Sequence, residues 1–120
     1  MQSFQNLDVW RKAHKLTLDV YRVTEGFPRS EIFGLAVQLR RLAADIPMRI
    51  AEGCGRDHSP EFGQCLGRAR GSGVELEYAL LLARDLDLLQ PEAHEELKAQ
   101  LVEVRRMLSG LIRSAAAASV

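Results

Sequence analysis

Leu35, Leu39, Leu42, Ile46 and Ile50 recur at steps of four and three along one arc of a helix, and their phase runs through Pro47 without a slip. A proline there bends one helix rather than dividing two. It leaves the Ala43 carbonyl without its usual donor, a cost of ~3 kcal/mol unless packing or a side chain compensates. A second arc of the same segment holds Ala36, Ala43, Ala44, Pro47, Ala51 and Cys54, broken mainly by Arg40, with Val37 and Met48 beyond it. Only the remaining sector, Gln38, Arg41, Asp45, Arg49, Glu52 and Arg56, is polar. A helix apolar over most of its circumference is buried over most of it. One bundle supplies a core on one side only, so Ala36, Ala43, Ala44, Pro47 and Ala51 are expected to meet another subunit. The plainer alternative is that these small residues accommodate neighbouring helices of the same bundle.

Three further segments carry the same periodicity. Val9, Ala13, Leu16, Val20 and Val23 form a stripe that Asn6 is placed to cap and that Gly26, Phe27 and Pro28 stop. Ser59-Pro60-Glu61 opens the third segment, with its stripe at Phe62, Leu66, Ala69, Gly73, Leu76, Leu80 and Ala83. Pro91-Glu92 opens the fourth, with Leu97, Leu101, Val104, Leu108, Leu111 and Ala115. Such spacing suits near-parallel helix packing. The expectation is an all-α, antiparallel up-down four-helix bundle in a single domain spanning residues 1–120, with helices over roughly 6–25, 30–54, 60–88 and 91–115.

Composition agrees: 6% of residues are aromatic and 47% hydrophobic, enough to close one core in 120 residues. Sixteen basic residues balance sixteen acidic ones, which removes any general attraction to nucleic acid and requires a local patch for such binding. Two cysteines, and the absence of a leader, a long apolar run or an anchor motif, point to a reduced cytoplasmic protein with no membrane role.

The run "FQNLDVWRKAHKL…VY…FPRSEIFGLAVQLRRLAADIPMRIAEGCGR" followed by "ARGSGVELEYALLLA" resembles the four-helix-bundle proteins encoded in intervening sequences of bacterial 23S ribosomal RNA genes. The accessory protein of diversity-generating retroelements is a relative of that family. The resemblance covers roughly Phe4 to Ile112, most strongly at Leu7 to Trp10, Gln38 to Arg41, Ile46-Pro47, Ile50 to Gly53 and Gly71-Ser72 with Glu75. It implies a closed, ring-like homo-oligomer, typically a pentamer. It implies no established activity for most members, and nucleic-acid and reverse-transcriptase binding for the retroelement relative. Where the family usually carries Asn before Ile-Ala-Glu-Gly this chain has Arg49, so the role of that asparagine does not carry over.

Asp45, Arg49, Glu52 and Arg56 follow at steps of four, three and four, a spacing at which opposite charges meet on a helix surface. Beside that plain solvated reading, Arg41 and Glu52 with Ser72 and Glu75 are expected to form a partly buried structural network joining the second and third helices. Acid–base catalysis by the two carboxylates lacks an accompanying nucleophile, histidine or metal. Gly63, Gly67, Gly71 and Gly73 do not make a phosphate loop, whose pattern needs Gly-Lys-Ser/Thr between strand and helix; close helix approach is the expected reason for them. Cys54, His58 and Cys65 match no common zinc module, and the two cysteines read as small buried residues. His14 and His94 lack a Glu-x-x-His pair, so a di-iron bundle is not indicated. No cofactor or metal is expected, and the chain reads as a non-enzyme. Two functions remain: a nucleic-acid-binding accessory protein using Arg68, Arg70, Arg105 and Arg106 on RNA or DNA, or a scaffold that binds a protein partner and no nucleic acid.

Overall fold

The computed structural model describes residues 3–31, 34–56 and 59–118. Four helices follow one another: α1 (Asp8–Thr24), α2 (Leu35–Cys54), α3 (Ser59–Asp85) and α4 (Pro91–Ala118), with 3-10 turns at Phe4–Asn6 and Arg29–Glu31. Each helix packs on its two neighbours in an up-down antiparallel order, α2 most extensively on α3, in a body of 49 × 20 × 20 Å. The four apolar stripes close one core, in which Leu16, Leu39, Ile46, Ile50, Leu66, Leu76, Leu80, Leu101 and Leu108 are fully buried. No strand occurs among the described residues.

Pro47 sits within α2, and its orphaned acceptor has found a donor on another helix. Thr17 of α1 donates its buried hydroxyl to the Ala43 carbonyl at 3.0 Å, sharing the proton with the Ala13 carbonyl of its own helix at 2.8 Å. A buried acceptor is thereby paired, which removes much of the cost of an internal proline. Arg40, the residue that interrupts the small arc, forms a second clamp at the same seam. Its Nε donates to Thr24 Oγ1 at 2.7 Å, and its guanidinium lies 4.8 Å from the Tyr21 ring centroid.

Several expectations need correction. Ala43 is 0% exposed, and Ala36 and Pro47 are also buried, all within the single chain. Here α1 covers the Ala43 stretch of the arc that a second subunit was expected to cover, because Ala13 and Thr17 present a small surface to it. Of that arc Ala44, Ala51 and Cys54 stay partly exposed, beside outward-facing Met48 and Val37. Asn6 does not cap α1. It lies in the preceding 3-10 turn, the N-cap position falls on Leu7 with no side-chain bond, and Arg11 reaches back to the Gln5 and Asn6 carbonyls. The second helix begins at Leu35, not Ser30, because Ser30 falls in a 3-10 turn. The third ends at Asp85, since Asp87 adopts φ 62° and lets the Leu86 and Leu88 amides close on the last turn. The capping side chain of Ser59 lies outside the described residues.

Close approach explains one glycine well, and it is Gly53. A Cβ there would meet Phe62 Cδ1 at 2.9 Å and Cys65 Cβ at 3.1 Å, at the α2–α3 crossing. Gly73 is tight against Arg105, and Gly63 touches Ala115, but Gly67 and Gly71 face open space. The close-packing reading therefore fails within the chain for those two.

Candidate functional site

The charged ribbon of α2 is half-buried along the α2–α3 seam. Arg49 sits 3.4 Å from Asp45 and donates to Glu52 at 3.2 Å, Arg56 donates to Glu52 at 3.3 Å, and Arg68 of α3 lies 4.0 Å away. The Arg49 hydrogen bond, aided by Arg56 and opposed by partial burial, holds the Glu52 carboxyl below its usual range. Ser72 donates to Asp45 at 2.5 Å, tying α3 to α2. Two members of the expected network are absent from it. Arg41 is exposed and bonds to Gln38 at 3.2 Å, because eleven residues separate it from Glu52, about 16 Å along the helix axis. Glu75 is exposed at the edge of the α2–α3 groove beside Gln38, while the Ser72 hydroxyl is given to Asp45. The polar groups that join the two helices are Asp45, Arg49, Glu52 and Ser72, with Arg68 at the edge.

The four candidate arginines do not share one surface. Arg68 reaches the α2–α3 seam, whereas Arg70 crosses to α4 and donates to Ser109 Oγ at 3.3 Å. Arg105 is paired with Glu77 over Gly73, and Arg106 chelates Glu103 of its own helix at 2.8 Å. Among the described residues, Arg70 alone of the four has no carboxylate within ion-pair distance.

A larger feature emerges from the levels at which the helices meet. Thr17 contacts Ala43, Asp45 contacts Ser72, Arg70 contacts Ser109 and Asp19 contacts Gln100, so a plane near residues 17, 43, 73 and 103 halves the bundle. The half built from the start of α1, the end of α2, the start of α3 and the end of α4 holds ten of the sixteen Lys and Arg, against Asp8, Asp45, Glu52 and Glu61. The other half holds ten of the sixteen carboxylates against six basic side chains, with Glu103 at the plane and Asp57 outside the described residues. A neutral chain is thus strongly polarised along its axis. Up-down topology made this readable in the sequence: the fourth helix opens with Glu92, Glu95 and Glu96 and closes with Arg105, Arg106 and Arg113.

Groups with chemical potential are dispersed. Cys54 and Cys65 are free thiols, Cys65 is buried, and burial pushes the Cys54 thiol up, away from the reactive thiolate. His94 is buried on α4, while His14 stacks on Trp10 at 5.0 Å. His58 lies outside the described residues. Among the described residues, no three His, Cys, Asp or Glu side chains converge on a common point, and no helix is long and apolar enough to cross a membrane.

An all-α four-helix bundle with a polarised surface is the class that the geometry defines. The chain belongs to the family described as 23S rRNA-intervening sequence protein, whose sequence profile matches residues 5–110. It is similar in structure to a protein of unknown function from the S23 ribosomal protein family of Bacteroides thetaiotaomicron. The TM-score is 0.78 at 20% identity, over 87% of this chain and 97% of that one. At that identity the likeness bears on the fold. No curated protein matches the chain at a significant level.

Proposed function

We propose that this chain is a non-enzymatic, cytoplasmic accessory protein that self-associates and binds nucleic acid through its basic half. The axial separation of charge carries this reading: ten basic side chains against four described carboxylates gather in one half of a molecule whose net charge is zero. Self-association, in the ring or pentamer that the family resemblance implies, would align like halves and multiply a modest patch. Its support lies on the outward helix faces. Met48 is 58% exposed beside Ala44 and Ala51 on α2, and Val74 and Tyr78 are 48% and 64% exposed on α3, in line with the open-faced Gly67 and Gly71.

Binding by phosphate attraction is weak, indifferent to sequence, and steeply reduced as salt rises. Fluorescence anisotropy with short RNA and DNA at low and moderate salt tests this, and the expected result is salt-sensitive binding of both. No binding at low salt and high protein concentration would overturn it. That outcome favours the second reading, a protein-binding scaffold, which is supported by the apolar groove of about 540 Å³ between α2 and α3 bordered by Leu35, Leu42, Val74 and Tyr78.

A further inference from the structure

His94 is a buried polar side chain to which the fold gives no partner. It is 3% exposed on α4, its Nδ1 is shut off from solvent without a hydrogen bond, and the Glu95 carboxylate oxygen at 3.8 Å is too far to bond. Nε2 makes no hydrogen bond to a described residue either. Native structures leave few such groups, and each has a reason. The reason lies beside it: His94 lines an open pocket of about 350 Å³ between α3 and α4, with Val74, Tyr78, Leu81 and Arg84 on α3 and Lys98 one turn further along α4. That volume falls within the range of roughly 300–1,000 Å³ that small-molecule sites occupy.

Charge decides what the pocket takes. Lys98 is exposed and has no ion pair with a described residue. Arg84 gives Nε and Nη2 to Asp85 at 3.1 and 3.0 Å, which leaves Nη1 uncommitted. The carboxylate that also lines the pocket, Glu77, is already paired with Arg105. The uncommitted groups are therefore an ammonium, part of a guanidinium and an imidazole, all able to donate to an anionic oxygen. With Nδ1 closed off, Nε2 is the imidazole nitrogen left to a ligand. Val74, Leu81 and the Tyr78 ring supply an apolar wall. The surrounding half of the bundle holds ten carboxylates, which repel a doubly charged anion more than a singly charged one. We infer that this pocket binds a small monocarboxylic acid with an apolar body, the carboxylate held by Lys98 and His94 Nε2–H and the body resting on Val74, Leu81 and Tyr78. The site stands apart from the nucleic-acid surface, since α3 beyond Gly73 and the start of α4 belong to the acidic half.

The test is a titration of the labelled full chain, followed through its amide and imidazole resonances, with benzoate, benzyl alcohol, acetate and inorganic phosphate. Saturable binding of benzoate is expected, with shifts centred on Val74, Tyr78, Leu81, His94 and Lys98. Benzyl alcohol lacks the charge and acetate lacks the body, so each is expected to bind about tenfold more weakly. Lys98→Met and His94→Gln are each expected to weaken benzoate binding several-fold. Lys98 is exposed, so its replacement leaves the fold intact and carries the comparison alone should His94→Gln unfold. Benzoate that gives no saturable shifts at its highest soluble concentration overturns the site. Benzoate binding that Lys98→Met leaves unchanged overturns the placing of the carboxylate, and phosphate that binds more tightly than benzoate overturns the monocarboxylate class.

Discussion

Ala43→Glu will unfold this protein, whereas Met48→Glu will leave the fold intact and, under the proposed self-association, lower the assembled mass. Ala43 has no exposed surface and lies where α1 crosses α2, with its own carbonyl held by Thr17. A carboxylate there has neither room nor a cation, and the loss is expected to be about 4 kcal/mol or more, comparable with the whole stability of a small domain. Met48 is five residues further along the same helix, about 140° around it, and 58% exposed, so a charge is tolerated in the free chain and becomes costly only if another subunit covers it. Circular dichroism melts and light scattering separate the two effects. An Ala43→Glu variant that melts like wild type would mean that α1 does not cover α2 as described. A Met48→Glu variant that keeps the wild-type mass would remove this face from the interface.

Thr17→Val is expected to cost about 1–3 kcal/mol in denaturant unfolding, although it changes the side-chain volume little. The valine fills the space of the threonine but leaves the Ala43 carbonyl buried without a donor, because Pro47 has no amide hydrogen to offer. The dependence on proline can be measured. In a Pro47→Ala background the alanine amide can donate to Ala43, so Thr17→Val should cost markedly less there, and the difference between the two costs is the coupling of Thr17 to Pro47. Equal costs in both backgrounds would show that Thr17 acts through packing or through the Ala13 carbonyl alone.

Helix content and order were legible in the sequence because each segment carries an unbroken apolar stripe, and even the passage of α2 through Pro47 could be read from its phase. The donor that makes Pro47 tolerable could not, since Thr17 and Ala43 are 26 residues apart and only the packed bundle brings them together. The small-residue arc was misread for a related reason. Periodicity shows that a face is buried but not what covers it, and Ala36, Ala43 and Pro47 proved to be buried within the single chain, Ala43 against Thr17 of α1. Angular register also grouped Arg41 with Glu52 while ignoring three turns of separation along the axis. The polarised surface was legible in principle, from the charges at the two ends of the fourth helix, but a total charge of zero conceals it.

Amide chemical-shift mapping of the labelled protein during titration with a short RNA duplex tests the central claim most directly, because it reports where binding occurs as well as whether it does. Shifts confined to the start of α1, the end of α2, the start of α3 and the end of α4, and reversed by added salt, are the predicted result. Shifts centred on the opposite half, among Glu75, Asp85, Glu92 and Glu95, or no shifts at low salt, would contradict it.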